Sequence, residues 1–256
     1  MTEYAYRGLF GLLTPQANTT AEPEIQMICP PGMVPLTARM TSTKPSMEAR
    51  LADYVDRLEE TVTQFANAPL GAVALACTGM SYLVSEEHER AAFDRIEQAR
   101  GYPVLTAAAS ILAALDVLEA SRVGILSPYG DPLHGQGMEF WASRGLDIRR
   151  TERLSGNDKD FHPIYGMGSD AAIRGVEAMG ADGLDAIVIL GTGLPTLRCL
   201  LAFAGKPVPI LTPNLALAWR TALALSGAAP SREGLVPWLD GTQWKAGYDL
   251  RMPSDA

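Results

Sequence analysis

AVALACTGM, residues 72–80, aligns without a gap on AIVILGTGL, residues 186–194. In both, five apolar residues run into a turn of small residues, Cys77-Thr78-Gly79 in one and Gly191-Thr192-Gly193 in the other. Working outward, GLLTPQAN (11–18) matches GILSPYGD (124–131) upstream, and PVLTA (103–107) matches PILTP (209–213) downstream. The offsets are 186 − 72 = 114, 124 − 11 = 113 and 209 − 103 = 106, and the order of the pieces is kept. Short apolar strands resemble one another by chance, but three in register indicate a tandem duplication. Two α/β halves of about 110 residues follow, related by a pseudo-twofold axis, with a small-molecule site between them.

The pattern around these pieces supports that reading. Short β-branched runs alternate with longer segments of helical period, the signature of parallel sheets covered by helices. The predicted strands are Gly8–Leu13, Met33–Arg39, Gly71–Ala76, Val104–Thr106, Arg122–Leu126, Asp147–Arg153, Asp185–Leu190 and Val208–Leu211. The predicted helices are Ser46–Phe65, Glu86–Arg100, Ala107–Glu119, His134–Arg144, Ser169–Met179, Pro195–Ala204 and Leu215–Leu225. The expected fold class is α/β, two pseudosymmetric Rossmann-like lobes with parallel sheets. The approximate lobe boundaries are residues 1–110 plus 215–256 for the first and 111–214 for the second.

Composition narrows the function. The 256 residues are 47% apolar and 20% charged, enough for a sizeable core. Lys+Arg number 21 against 29 Asp+Glu, a formal charge of −8, with no basic cluster, which argues against a nucleic-acid partner. Cys29, Cys77 and Cys199 form an odd, unpatterned set, which fits a reducing compartment. His88, His134 and His162 show no zinc-ligand spacing, so no metal is expected; His134 and His162 read as surface or loop residues. Apolar runs are too short for a signal core or a bilayer span, so no membrane partner is expected and the default compartment is the cytoplasm.

In open α/β sheets ligands bind at the C-terminal strand ends. The candidate cleft is lined by Thr14, Pro15 and Asn18 from one strand end and Tyr129 from its repeat partner. Cys77, Thr78 and Gly79 come from the third strand, and Gly191, Thr192 and Gly193 from its copy. Hydroxyls and Gly-rich turns with free N–H groups suit a small carboxylate and can hold an enolate-like oxyanion. Met27, Met33, Met40 and Met47 read as core gap-fillers by default, with an apolar cleft wall as the alternative. Asn157, in the polar loop SGNDKDF, reads as solvated.

The pieces GLLTPQANTT, ALACTGMSY, ILSPY and ILGTGLPTL resemble the aspartate/glutamate racemase superfamily, in the branch of maleate isomerase and arylmalonate decarboxylase. The resemblance spans roughly residues 8–225. It implies two Rossmann-like lobes, no cofactor and no metal, a small carboxylate or dicarboxylate as substrate, and cysteine chemistry at the reacting carbon. It further implies that Cys77 matches the first-half catalytic cysteine, that Asn18 and Tyr129 match carboxylate-binding residues, and that Thr78 and Gly79 fall on the anion-hole turn. Homo-oligomerisation is left open.

One departure matters. Racemases of this kind use two thiols, one on each face of the substrate, whereas Gly191 stands at the second position here. Cys199, eight residues on, falls inside the following helix. Arylmalonate decarboxylases resembling this chain keep one cysteine, but in the second half; this chain has the mirror arrangement. One thiol suffices to protonate the enediolate left when a malonate-type di-acid loses carbon dioxide, and that is the favoured expectation. Nucleophilic cis–trans isomerisation of a maleate-type substrate by a Cys77 thiolate is the alternative, aided by a helix N-terminus after Cys77. A non-catalytic carboxylate-binding protein is the third reading.

Overall fold

The computed structural model describes residues 2–154 and 162–252; Asn157 lies outside them. Eight strands occur among these residues: β1 (Gly8–Pro15), β2 (Met33–Met40), β3 (Ala72–Leu75), β4 (Val104–Thr106), β5 (Arg122–Ser127), β6 (Asp147–Arg153), β7 (Ala186–Ile189) and β8 (Ile210–Leu211). They form two four-stranded sheets of order β2-β1-β3-β4 and β6-β5-β7-β8, parallel throughout. The fold is therefore α/β with the same strand order twice.

The hydrogen-bond register repeats with the offsets read from the sequence. Phe10 faces Ala72 in the first sheet and Val123 faces Ala186 in the second, so the pair moves by 113 and 114. Val73 faces Val104, and Ile187 faces Ile210, offsets of 114 and 106. At the strand ends the Ala76 N–H donates to Leu13 O and the Leu190 N–H to Leu126 O, both at 2.8 Å. Thr106 caps the helix Ala107–Leu118, and Thr212, its repeat partner, caps the helix Pro213–Ser226 through the same side-chain acceptor. These two helices pack on each other, and Pro213–Ser226 also lies against β3 and β4 of the first sheet. Leu225 from its last turn fills the space beside Gly8 and Gly71.

The inner strands β3 (AVAL) and β7 (AIVI) are buried on both faces, which is why they read as continuous apolar runs without alternation. The predicted helix Ser46–Phe65 is in fact three pieces, Met47–Asp56, Leu58–Val62 and a 3-10 turn Thr63–Phe65. The break falls at Arg57, whose guanidinium donates to Thr41 O and pairs with Glu60. Leu58 and Val62 keep the apolar period across the break, so sequence period alone does not reveal the bend. The helices Ala21–Ile28, Arg232–Leu239 and Lys245–Asp249 were not expected from the sequence. No helix among the described residues is long and apolar enough to cross a membrane.

Candidate active site

The C-terminal ends of β1, β3 and β7 and the loop after β5 converge on one cavity. Its walls include Pro15, Asn18, Cys77, Thr78, Gly79, Tyr129, Thr192 and Gly193. The space is small, about 60 Å³. Thr14 and Gly191 do not line it. Thr14 is fully buried at the end of β1, its hydroxyl without a hydrogen-bond partner among the described residues. Gly191 lies beneath the wall, where an added Cβ would stand 2.5 Å from Ile164 Cδ1 and 2.8 Å from Pro128 Cγ.

The two repeat turns are each held by the opposite half. The Thr78 hydroxyl meets the Tyr129 hydroxyl at 3.1 Å, while Asn18 Nδ2 donates to Thr192 Oγ1 at 3.0 Å. Asn18 Oδ1 accepts from the Thr20 and Ala21 N–H groups at 2.9 Å, capping the helix Ala21–Ile28. Thr192 Oγ1 donates to Ala76 O at 2.8 Å, next to Cys77. A hydroxyl has one proton, so Thr192 contributes a tie between the strand ends, and the backbone of its turn is what remains for an anion.

Cys77 is buried, and its thiol is pushed up to about 12. Burial is the main cause; the Gly79 and Met80 N–H groups directed at the sulfur lower it, and Glu89 raises it slightly. The following helix, Gly79–Leu83, does not create a resting thiolate: desolvation outweighs the two donors. The folded thiol therefore stays protonated until pH rises well beyond the ordinary range. Iodoacetamide labelling of Cys77 is expected to be slower than for a free cysteine at pH 8. It should climb about tenfold per pH unit between pH 8 and 10, as thiolate fraction dictates. Peptide mass spectrometry reads this directly, and a plateau near pH 7–8 would contradict it.

Further lining residues come from elements that the sequence reading does not place at the site. Arg50 and Tyr54 come from the helix Met47–Asp56, whose face Met47, Arg50, Leu51, Tyr54 forms one wall. Tyr165 and His162 form another, with His162 at 4.8 Å from Tyr165 and stacked at 6.3 Å on Tyr129. His162 is a half-buried loop residue beside the cavity, and burial lowers it to about 4, leaving a neutral imidazole at neutral pH. Burial raises Tyr54, Tyr129 and Tyr165, so the phenols remain protonated donors. Among the described lining residues Arg50 carries a permanent charge and none is a carboxylate. Its Nε donates to Lys44 O at 2.6 Å. Met47 and Leu51 belong to the apolar helical period of this segment; a cavity wall and a core face have the same period.

This combination of repeated sheets and an asymmetric pair of turns has clear counterparts. Maleate isomerase of Pseudomonas putida is 25% identical over 243 residues, covering 88% of this chain and 96% of that protein. A cysteine-to-serine variant of Nocardia farcinica maleate cis–trans isomerase, with a covalently bound succinylcysteine intermediate, superposes with a TM-score of 0.73. That match has 21% identity over 86% of this chain and 93% of that one. A glycine-to-cysteine, cysteine-to-serine double variant of arylmalonate decarboxylase, in a liganded form, gives 0.72 at 20% identity over 91% and 99%. The family model described as arylmalonate decarboxylase matches residues 10–235, spanning both sheets and every wall of the cavity, and to that family the chain belongs.

Proposed function

We propose that this chain is a cofactor-independent decarboxylase of a small malonate-type di-acid, with Cys77 as the proton donor. The carrying observation is a buried thiol at the cavity whose counterpart position is occupied by glycine and overlain by Ile164 and Pro128, and burial favours its protonated form. One carboxylate leaves as carbon dioxide, and the electron pair of the broken carbon–carbon bond passes into an enediolate. The S–H proton moves to the α-carbon, and the thiolate regains a proton from water. A thiol that holds its proton at neutral pH is suited to that acid role.

Charge on the enediolate oxygens meets the Thr192-Gly193 backbone, Asn18 and the phenols of Tyr129 and Tyr165. A placed donor of this kind is worth about 3–4 kcal/mol in the transition state. The cavity's small volume supports a di-acid without a large aryl group. The double variant of arylmalonate decarboxylase carries its two substitutions 114 positions apart, the separation of Cys77 and Gly191 (191 − 77 = 114). It is thus a liganded decarboxylase scaffold with its cysteine introduced at a former glycine.

Proton NMR in deuterium oxide with malonate, methylmalonate, phenylmalonate and maleate tests the reading. Loss of one carboxyl with one deuterium gained at the α-carbon is the expected result, with methylmalonate preferred over phenylmalonate. A second reading rests on the Nocardia structure, in which an isomerase with one cysteine replaced by serine holds a succinylcysteine. Conversion of maleate to fumarate, without decarboxylation of any malonate, would replace the first reading by that one. Protection of Cys77 from alkylation by the di-acids, with no turnover of any, would mark a binding protein.

A further inference from the structure

Glu24 is a fully buried carboxylate that the proposed chemistry does not use. It sits on the helix Ala21–Ile28 of the first half, yet its carboxylate bonds to Thr196, Leu197 and Asn214 of the second half. Its oxygens accept from the Thr196 N–H at 2.5 Å, the Leu197 N–H at 3.2 Å and Asn214 Nδ2 at 2.8 Å, with the Thr196 hydroxyl at 3.2 Å. All are donors, the complement of an ionised carboxylate. Asn214 Nδ2 also donates to the Thr192 carbonyl at 3.1 Å, and Thr20 Oγ1 donates to the Gly193 carbonyl at 2.8 Å. The repeat offsets place Gly137 and Ala108 where Glu24 and Asn214 would fall in the other half, so the device exists on one side only.

The consequence lies in the peptide between Thr192 and Gly193. In a trans peptide the N–H points opposite to the preceding C=O. Asn214, by holding the Thr192 carbonyl on its own side, turns the Gly193 N–H away from itself. In the first half the equivalent N–H, that of Gly79, is directed at the Cys77 sulfur. In the second half there is no such sulfur, because residue 191 is glycine. We propose that Glu24 and Asn214 are positioning residues that aim the Gly193 N–H into the cavity as a donor to the substrate's carboxylate and the enediolate formed from it. A Glu24 carboxylate does this by fixing which way the Asn214 amide faces: its Nδ2 serves both Glu24 and Thr192. This assignment deepens the decarboxylase reading and rests on it for the enediolate; the carboxylate contact stands for either enzyme.

Glu24→Gln tests it, because a glutamine amide facing Asn214 favours the flipped asparagine, which presents Oδ1 to the Thr192 carbonyl and releases it. Two readouts are used: kcat and KM with methylmalonate, and the malonate concentration that half-protects Cys77 from iodoacetamide. The variant is expected to lower kcat at least tenfold and to raise the half-protecting concentration at least fivefold. The Cys77 labelling rate without malonate should stay within twofold, a separation that a general loosening of the fold would not give. Asn214→Ala should reproduce both effects and serves in its place if Glu24→Gln does not fold. Wild-type kcat and protection in either folded variant would overturn the assignment, as would faster Cys77 labelling in parallel with both losses. Should wild type turn over no malonate, the protection measurement alone decides the point.

Discussion

Cys77→Ala is expected to lower kcat for methylmalonate decarboxylation by on the order of 10²–10⁴-fold, the usual contribution of a positioned general acid. KM should change little, because the donors to the substrate carboxylates belong to the Thr192-Gly193 turn, Asn18 and the phenols, none of which is bonded to the sulfur in the structure. Alanine keeps Cβ in the buried strand end and removes only the sulfur, so melting should fall by a few degrees at most. The residual product formed by the variant should still carry deuterium, delivered by solvent and without facial selectivity, whereas wild type protonates one face only. Circular dichroism for the fold and chiral analysis of the methylmalonate-derived or a bulkier α,α-disubstituted product would check both. A kcat within threefold of wild type would move the acid role from Cys77 to Tyr129, the other buried donor beside Thr78.

Gly191→Ala is expected to be the most destabilising single-methyl change in the site, about 2–3 kcal/mol. Two causes add. Residue 191 has φ of +88°, where a Cβ is strained. An added Cβ also meets Ile164 Cδ1 at 2.5 Å and Pro128 Cγ at 2.8 Å. At ~2–4 °C per kcal/mol for a chain of this size, the melting temperature should drop by roughly 5–10 °C. Gly191→Cys meets the same obstacles, so it should lose stability without yielding a thiol on the opposite face. Adding Ile164→Ala removes the nearer obstacle and should recover part of the loss. An unchanged melting temperature in Gly191→Ala would show that the wall over Gly191 yields freely, and would reopen the second face of the site. Differential scanning calorimetry suffices.

How much of this was legible in the chain can be traced residue by residue. The strand-end turns carrying Cys77 and Gly191 were visible because a duplicated fold writes its strands twice, and a match repeated at offsets of 114, 113 and 106 is stronger than any one apolar run. Thr78, Gly79, Thr192 and Gly193 lie on those turns, Asn18 and Tyr129 follow the matched strands β1 and β5, and the structure gathers all six around one cavity. Arg50, Tyr54, His162 and Tyr165 were hidden for a different reason. They come from a helix face and a loop whose residues are spaced like any buried face, and only the packing of Met47–Asp56 against the strand ends turns them into a wall.

The distinction extends to chemistry. Sequence order alone determined the α/β class, the duplication, the membership of one thiol and the lack of its partner, because these depend on period and residue identity. Tertiary structure decided the state of that thiol. A turn before a helix favours a thiolate by its N–H donors, but burial outweighs them, and burial is a property of everything packed around Cys77. It likewise decided that the Thr192 hydroxyl is spent on Ala76, that Thr14 lies below the cavity, and that Glu24 reaches 172 residues along the chain to Thr196. Hydrogen bonds saturate, so which donors remain for a substrate becomes known only when every partner across the cleft is in place.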